Sequence, residues 1–170
     1  LEGWVWNGLP NDVRPVTGYF FSRRADGDQK APGDHVGIGG TYEAGKWEGK
    51  LLVFNGNERN EALAGRSEIG FRTWNHVVFT RQGTKVRVYL NGQPKPEIEG
   101  DLPVTFQSAR NQFFLGGRSD GLFGLEGKLD EVALYDRALT SDEVTAHYLA
   151  SGNKLAEVKV STPDSPPLSP

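Results

Sequence analysis

Aromatic side chains in turn-rich stretches are the residues of this sequence best suited to hold a ligand. Trp6 ends a short run that contains a second tryptophan, and Trp47 lies in a Gly-, Lys- and Glu-rich stretch with Tyr42 nearby. A flat ring can stack on the C–H face of a sugar or anchor a protein interface. We therefore expect Trp6, Tyr42 and Trp47 to form a binding platform, with ordinary packing under a long loop as the alternative.

The glycine-rich stretch GGRSDGLFG, residues 116–124, is a second candidate. It carries Arg118, Asp120 and Phe123, and binding residues collect in loops of this kind at the end of a β-rich domain. Arg and Asp would hydrogen-bond hydroxyl groups, while Phe would add apolar contact. The stretch also contains a formal G-x-S-x-G pattern, but a nucleophile elbow needs a helix after its turn, and here more glycine and another strand follow.

Three carboxylates lie close together in RRADGDQKAPGDH, residues 23–35: Asp26, Asp28 and Asp34. Calcium takes several oxygen ligands and tolerates irregular geometry, so this loop could contribute to a calcium site. It is not an EF-hand, because Gly37 stands at the twelfth position from Asp26, where a bidentate Glu is required. A solvated, turn-rich loop is the alternative.

Asp130 is the most informative single carboxylate. In KLDEVALY, Asp130 lies two residues before Val132 and four before Leu134, so all three would share one face of a regular strand. Because Val132 and Leu134 are apolar, that face is expected to point toward the core. A buried carboxylate needs backbone amides, an arginine such as Arg137, or a cation. We expect Asp130 either to lock its strand to a neighbouring loop or to bind a structural calcium ion.

Signatures of catalysis are missing from the sequence. There is no H-E-x-x-H, the three histidines (35, 76 and 147) are dispersed, and cysteine is absent. The acids of EGKLDE are not spaced to place two catalytic carboxylates on one strand face. We expect no enzyme activity. A glycoside-cleaving fragment remains the alternative that would need two carboxylates about 5–9 Å apart in a groove.

Composition limits the remaining classes. The 170 residues carry a net charge of −3, which argues against a nucleic-acid or membrane-surface module. No apolar run approaches the roughly 20 residues of a membrane-spanning helix. With 22 glycines and 11% aromatic residues, the chain favours short strands joined by many turns. The lack of any methionine suggests a piece of a longer protein.

The strongest strand pattern is HVVFTRQGTKVRVYLNGQ, residues 76–93. Val86, Val88 and Leu90 alternate with polar or aromatic residues, QGT makes a glycine-containing hairpin loop, and Asn91–Gly92 favours a tight turn. Together they predict three consecutive antiparallel strands. Five further β-rich runs predict a sandwich or barrel: GYFFSR, HVGIGG, KLLVFNG, QFFLGG and KLDEVALY.

One helix is predicted after the last strand. Thr140 and Glu143 form a capping box, Leu139 and Val144 are placed for a hydrophobic staple, and Gly152 ends the helix. The globular domain is therefore expected over residues 1–152. The proline-rich residues 153–170 would be a linker or tail, with one added strand conceivable in 155–160.

These elements carry a family resemblance. GKLDEVALYDRALTSDEVTAHY (127–148), TWNHVVFTRQGTKVRVYLNGQ (73–93) and LEGWVW (1–6) resemble segments of laminin-G-like, concanavalin A-like lectin/glucanase jelly-roll domains. The resemblance covers about residues 1–150. It implies an all-β sandwich of two curved antiparallel sheets with one short C-terminal helix, and it places Trp74 in the core. The strand that this family has before LEGWVW is missing, and LAEVKV could replace it at the sheet edge.

The resemblance also carries functional expectations. Bacterial members of this family are commonly accessory modules of secreted or cell-surface multidomain proteins, and related domains often bind calcium at loop rims. We expect a non-catalytic carbohydrate-binding module of a larger exported protein, located outside the cell, at its surface or in the periplasm, with Ca²⁺ as a candidate cofactor. The partners would be a glycan or neighbouring domains, without nucleic acid or membrane insertion. The alternative is a structural or protein-interaction module that positions a neighbouring domain.

Overall fold

The described part of the chain forms two antiparallel sheets of five strands each. The structure is a computed structural model that describes residues 1–25, 32–42, 45–56, 61–105, 111–118 and 121–156. The first sheet has the order β10-β1-β6-β7-β8. Its strands are β1 (Glu2–Asn7), β6 (Trp74–Gln82), β7 (Lys85–Leu90), β8 (Ile98–Asp101) and β10 (Gly127–Ala133).

The second sheet has the order β5-β4-β3-β2-β9. Its strands are β2 (Gly18–Ala25), β3 (Gly33–Ile38), β4 (Lys50–Phe54), β5 (Ala62–Glu68) and β9 (Asn111–Leu115). One helix, α1 (Ser141–Ala150), follows the last strand. The predicted all-β, two-sheet sandwich with a short C-terminal helix is confirmed. The predicted tail strand at 155–160 lies mostly outside the described residues.

The core lies between the two sheets and is built by alternation along the strands. Val5, Val77 and Val88 face inward from the first sheet, while Val36 and Val53 face inward from the second, and all five are buried. Because successive side chains of a strand point to opposite faces, their neighbours in sequence are directed to the outer faces of the sandwich. The ligand-binding candidates must therefore be sought on those two outer faces.

The predicted β6–β7 hairpin is confirmed, with a shorter loop than QGT suggests. Gln82 already pairs with Lys85, so the loop consists of Gly83 and Thr84 alone. Gly83 has φ of +62°, a backbone conformation that glycine adopts without steric cost. At the other end of β7, Asn91 and Gly92 both have positive φ, as expected for the predicted tight turn.

Strand β5 has no counterpart among the predicted runs, and β8 was predicted only as the third antiparallel strand after the Asn91–Gly92 turn, without a sequence run of its own. Both are edge strands, and their sequences, ALAGRSE and IEGD, show little apolar alternation. An edge strand has only one hydrogen-bonded neighbour and needs less apolar surface than a central strand. Packing of the Leu63 side chain against Gly100 joins the two edges across the sandwich, and a larger residue at position 100 would meet that side chain.

The predicted helix start is confirmed in detail. Thr140 accepts a hydrogen bond from the Glu143 backbone, and the Glu143 side chain bonds back to Thr140, which completes the capping box. Leu139 and Val144 pack with Val78 and Tyr89 in a small apolar cluster, so α1 covers part of the outer face of the first sheet. None of the helices in the described part of the chain is long and apolar enough to cross a membrane.

A β-bulge in β10 overturns the predicted orientation of Asp130. Trp4 pairs with Asp130 but Glu2 pairs with Ala133, so an extra residue lies on β10 at this point, where Glu131 has φ of +48°. A bulge interrupts the period of two. Leu129 packs against the core, while Asp130 is exposed; the prediction that Asp130 faces the core is wrong.

Asp34 in β3 is the most deeply buried carboxylate that the structure describes. Its side chain has an exposed fraction of 0%, and it accepts hydrogen bonds from Nη2 of Arg23 at 2.7 Å and from Nε of Arg81 at 2.8 Å. Arg81 belongs to β6, so this ion pair joins the two sheets. Two guanidinium groups compensate the cost of removing one carboxylate from water.

We predict that Asp34→Asn destabilises the protein strongly. The substitution keeps the shape of the side chain but leaves the half-buried Arg81 guanidinium without its fully buried anionic partner, a loss of about 3–5 kcal/mol in the free energy of unfolding. Urea denaturation measures it. The matched control is Glu99→Gln, which breaks the partly exposed pair between Arg87 and Glu99 and should cost less than about 1 kcal/mol. Equal losses in the two variants would contradict the inter-sheet role of Asp34.

Candidate functional site

A groove lies on the outer face of the second sheet, and we call it the aromatic groove. Its floor is formed by Tyr19 of β2 with Leu52 and Phe54 of β4. The volume of this open groove is about 470 Å³. The complete lining is Val16, Thr17, Tyr19, Gly40, Tyr42, Trp47, Leu52, Phe54, Arg118 and Phe123.

The loop between β3 and β4 supplies one wall of the aromatic groove. Tyr42 is 74% exposed at the rim, whereas Trp47 is half-buried. The Lys46 ammonium lies over the Trp47 ring, 5.0 Å from its centre. Gly39 packs against the backbone of Trp47 so closely that no side chain fits between them. Because glycine has no side chain, the Trp47 backbone can approach position 39 this closely.

A backbone hydrogen bond to Arg14 fixes the loop between β3 and β4. The backbone oxygen of Arg14 accepts a hydrogen bond from the Thr41 amide at 2.8 Å, one residue before Tyr42. The Arg14 guanidinium is fully buried, donating from Nη2 to Oδ1 of Asn7 at 2.7 Å and pairing through Nη1 with the Glu126 carboxylate. The wall of the groove is thus tied to β1 and to the segment that leads into β10.

The opposite wall comes from the loop that precedes β10. The Tyr19 amide donates to the Phe123 carbonyl at 2.8 Å, which fixes the loop across the start of β2. The Arg118 guanidinium lies over two rings, 5.1 Å from the centre of Phe123 and 5.6 Å from that of Tyr19. These cation–π contacts present the Arg118 donors beside apolar faces.

Four of the six residues expected to bind a ligand line the aromatic groove together: Tyr42, Trp47, Arg118 and Phe123. Trp6 lies on the first sheet, with the Lys128 ammonium 4.8 Å above its ring. Asp120 falls outside the described residues. Trp74, expected in the core, is 44% exposed.

The floor residues were missed by the sequence analysis. Leu52 stands between the core residues Leu51 and Val53, so β4 is apolar on both faces. A strand that is apolar on both faces indicates that its outer face is also covered. That pattern in KLLVF was the available signal for a groove floor.

The predicted calcium ligands do not form one site where the structure describes them. Both carboxylate oxygens of Asp34 bind guanidinium groups, and Asp130 lies on the other sheet. Asp26 and Asp28 are outside the described residues. Within the described ranges, no group of three or more His, Cys, Asp or Glu side chains is arranged to hold a metal ion. Asp34 therefore does not fit as a ligand of the predicted loop site, and Asp130 belongs to no metal-binding group among the described residues.

A second and larger groove lies on the outer face of the first sheet beside α1, and we call it the acidic groove. Its volume is about 880 Å³. Strands β1, β6 and β10 form the floor, and the helix forms one wall. The residues that matter below are Glu2, Trp4, Trp74, His76, Asp130, Glu131, Tyr135, His147 and Tyr148.

A hydrogen-bonded cluster around Glu2 lies at the base of the acidic groove. The buried Glu2 carboxylate is 2.8 Å from Nε2 of His76 and 3.0 Å from Nδ1 of His147, and it accepts from the Tyr135 hydroxyl at 2.6 Å. These partners come from β6, α1 and the segment after β10. One carboxylate therefore fastens β1 to three separate parts of the chain.

The cluster shifts the ionisation of two of its members. Burial by itself raises the pKa of the Glu2 carboxyl, but the hydrogen bonds from His76, Tyr135 and His147 together outweigh it and lower that pKa from 4.5 to about 2. The hydrogen bond that the Tyr135 hydroxyl donates to Glu2 raises the pKa of that hydroxyl from 10.0 to about 12. Glu2 is therefore ionised and Tyr135 protonated across the physiological range.

We predict that Glu2→Gln destabilises the protein in a pH-dependent manner. A lowered pKa contributes stability that is present above the ordinary value of 4.5 and is lost as pH falls through about 2. The variant should lose on the order of 3 kcal/mol of unfolding free energy at about pH 7, and the difference from the wild type should shrink below about pH 4. Urea denaturation across that range measures it. The exposed Glu61→Gln is the control, and a pH-independent loss in Glu2→Gln would contradict the linkage.

The solved structures with a similar fold include the following two proteins. One is a heptameric SAP-like pentraxin from Limulus polyphemus, with 20% sequence identity and a TM-score of 0.61 over 85% of the present chain. The other is a proposed carbohydrate-binding protein from Bacteroides ovatus, with 19% identity and a TM-score of 0.61 over 85% of the chain. The chain spans 66% of the pentraxin chain and 38% of the Bacteroides chain, less than two thirds of each.

Sequence comparison gives the family. No curated protein matches the chain in sequence. The laminin-G model described as the concanavalin A-like lectin/glucanases superfamily matches residues 10–145, which include both sheets apart from β1. The resemblance inferred from the motifs is confirmed. The chain belongs to the concanavalin A-like lectin/glucanases superfamily.

Proposed function

We propose that the protein binds a carbohydrate in the aromatic groove. The observation that carries the proposal is the convergence of Tyr42, Trp47 and Phe123 with the Arg118 guanidinium around one concave surface. These residues come from two loops that are far apart in sequence. Their meeting on one face of the sandwich gives the apolar surface and the hydrogen-bond donors that sugar recognition needs.

The chemistry of the lining suits a sugar. A pyranose has C–H faces that stack on aromatic rings and hydroxyl groups at its edge, which accept hydrogen bonds from a guanidinium. A volume of about 470 Å³ lies within the ordinary range for small-ligand sites. Because Arg118 is the only charged side chain among the described residues of the lining, neutral and acidic sugars are both compatible with the groove.

The comparisons support this proposal at the level of the family. The superfamily includes lectins by name, and a structure of the same fold belongs to a proposed carbohydrate-binding protein. Binding without catalysis is favoured because, among the described residues that line the aromatic groove, none is a carboxylate. We place the module in an exported, multidomain protein, with Asp26 and Asp28 as remaining calcium candidates.

A second function, the positioning of a neighbouring domain, is favoured by a different surface. Phe113 and Leu115 of the edge strand β9 are exposed, as is Leu134 directly after the edge strand β10, and Phe113 and Leu134 line a depression with Leu1. Exposed apolar side chains gathered at one edge are typical of an interface with another domain. This surface is separate from the aromatic groove, so the two functions are compatible.

Trp47→Ala should weaken glycan binding roughly tenfold, because the loss of one stacking ring removes about 1–2 kcal/mol. The ligand is first identified on a glycan array with calcium and then with a chelator, and the affinity of the best hit is measured by calorimetry. Binding that survives chelation is expected, since none of the described residues of the lining is a carboxylate. Loss in chelator would instead direct attention to Asp26 and Asp28.

The matched control is Trp6→Ala, which removes the same side chain from the opposite sheet. It should leave glycan affinity unchanged. Equal losses in the Trp6 and Trp47 variants would contradict the assignment of the aromatic groove. A blank array from a folded sample would favour the domain-positioning function of the β9–β10 edge.

A further inference from the structure

Negative charge dominates the acidic groove. Glu2 lies at its base, and Asp130 and Glu131 are exposed on its β10 side. Among the described residues that line it, none is Lys or Arg. Asp130 accepts the backbone N–H of Glu131 at 2.9 Å through one oxygen, which leaves its second oxygen directed to no protein donor in the described chain. An anionic ligand would be repelled from such a surface.

Aromatic rings line the same groove beside the carboxylates. Trp74 is 44% exposed, although a tryptophan ring is the largest apolar side chain to leave in water. The Trp4 ring stacks on the Tyr148 ring, with their centres 5.8 Å apart. It also packs at a tilt against the His76 ring, with their centres 5.2 Å apart. Aromatic faces next to carboxylates are the arrangement that attracts an ammonium or guanidinium group.

One buried nitrogen of the groove has no partner in the described chain. His76 is 3% exposed, its Nε2 faces the Glu2 carboxylate at 2.8 Å, and its Nδ1 makes no hydrogen bond. When Nε2–H donates to Glu2, an uncharged His76 ring has only a lone pair at Nδ1. A buried acceptor without a donor is costly, so a group that donates a hydrogen bond is favoured at this nitrogen.

We propose that the acidic groove binds an organic cation, an ammonium or guanidinium group carried on an apolar stem. The stem would lie against Trp4 and Trp74, and the charged head would face Asp130 and Glu131. A bare metal ion is a poorer match, because no metal-binding cluster occurs among the described side chains. The cation belongs either to a free amine or to a lysine side chain of another protein.

This site is independent of the proposed carbohydrate site. The aromatic groove uses the outer face of the second sheet, whereas the acidic groove uses the outer face of the first. The core of the sandwich lies between them. Failure of glycan binding therefore leaves the cation proposal intact, and the converse also holds.

The test is a titration of the whole chain with n-butylammonium chloride at low ionic strength, followed by NMR of the tryptophan indole groups. We expect a Kd of about 1–10 mM, as is reasonable for so small a ligand. n-Butanol, the neutral molecule with the same number of heavy atoms, should bind at least roughly tenfold more weakly because it lacks the cation–π and ionic contacts. Perturbation should be concentrated at Trp4 and Trp74.

The two sources of the cation are separated by a second probe. A short peptide with blocked ends and one lysine is titrated in the same way. Binding of both probes assigns the groove to lysine side chains of a partner protein. Binding of n-butylammonium without the peptide assigns it to a free amine. Both outcomes support an organic-cation site.

Two variants locate the site. Asp130→Asn combined with Glu131→Gln removes two charges, and Asn can still accept the Glu131 N–H; affinity for n-butylammonium should fall roughly tenfold. Trp74→Ala should cause a roughly fivefold loss. The control Asp12→Asn with Glu61→Gln changes the net charge equally at exposed positions outside the groove and should have no effect.

The proposal is overturned by any of three results. One is the absence of binding of n-butylammonium at concentrations well above the expected Kd. Another is equal binding of n-butanol, which would show an apolar site without charge recognition. The third is an equal loss of affinity in the control charge variant, which would show attraction to the whole molecule and not to the groove.

Discussion

The buried guanidinium of Arg14 is the interaction on which the arrangement of the aromatic groove depends. It is fully enclosed, and its charge is compensated by Glu126 and by the side-chain oxygen of Asn7. Asn7 in turn donates to Asn11, and Asn11 donates to Glu68. A charge in this position is stable only while every partner is in place, so the loops that meet there are held in one geometry.

On both outer faces of the sandwich, strand alternation directs apolar side chains outward, but different elements cover them. On the second sheet, apolar residues such as Leu52 and Tyr19 face outward and are covered by loops, which leaves a groove between the loop walls. On the first sheet, Val78 and Tyr89 face outward and are covered by α1. Beyond the helix, the uncovered part of that sheet carries carboxylates next to aromatic rings such as Trp74. Each groove is the part of an outer face that its covering element does not reach.

The sequence predicted the fold well because its central strands carry strong local signals. The β6–β7 hairpin and the capped helix follow from alternation, turn glycines and a capping box within short windows. The edge strand β5 escaped prediction, and the position of β8 was not predicted, because pairing with a neighbour, and not local pattern, makes them strands. The orientation of Asp130 failed for a related reason, since the bulge at Glu131 is invisible to a period of two.

The candidate site was predictable only in part. Aromatic and arginine residues in glycine-rich loops identified four members of the aromatic groove, because exposed rings are unusual in turns. The sequence could not pair those loops, since their meeting depends on Arg14 and on the register of β2 with the segment after β9. The Glu2 cluster was beyond local reasoning for the same reason, as His147 is 145 positions away from Glu2. Long-range polar contacts leave no periodic trace in a sequence.

Because the two grooves lie on opposite faces of the sandwich, ligands in them would be held on opposite sides of the domain. Because the hydrophobic core separates the two outer faces, a ligand on one does not obstruct the other. A domain of this kind can be attached to two surfaces at once, and the second attachment then occurs at a high effective concentration. Two individually weak contacts would suffice to hold it in a layer between them. The thickness of one β-sandwich would set the spacing of that layer.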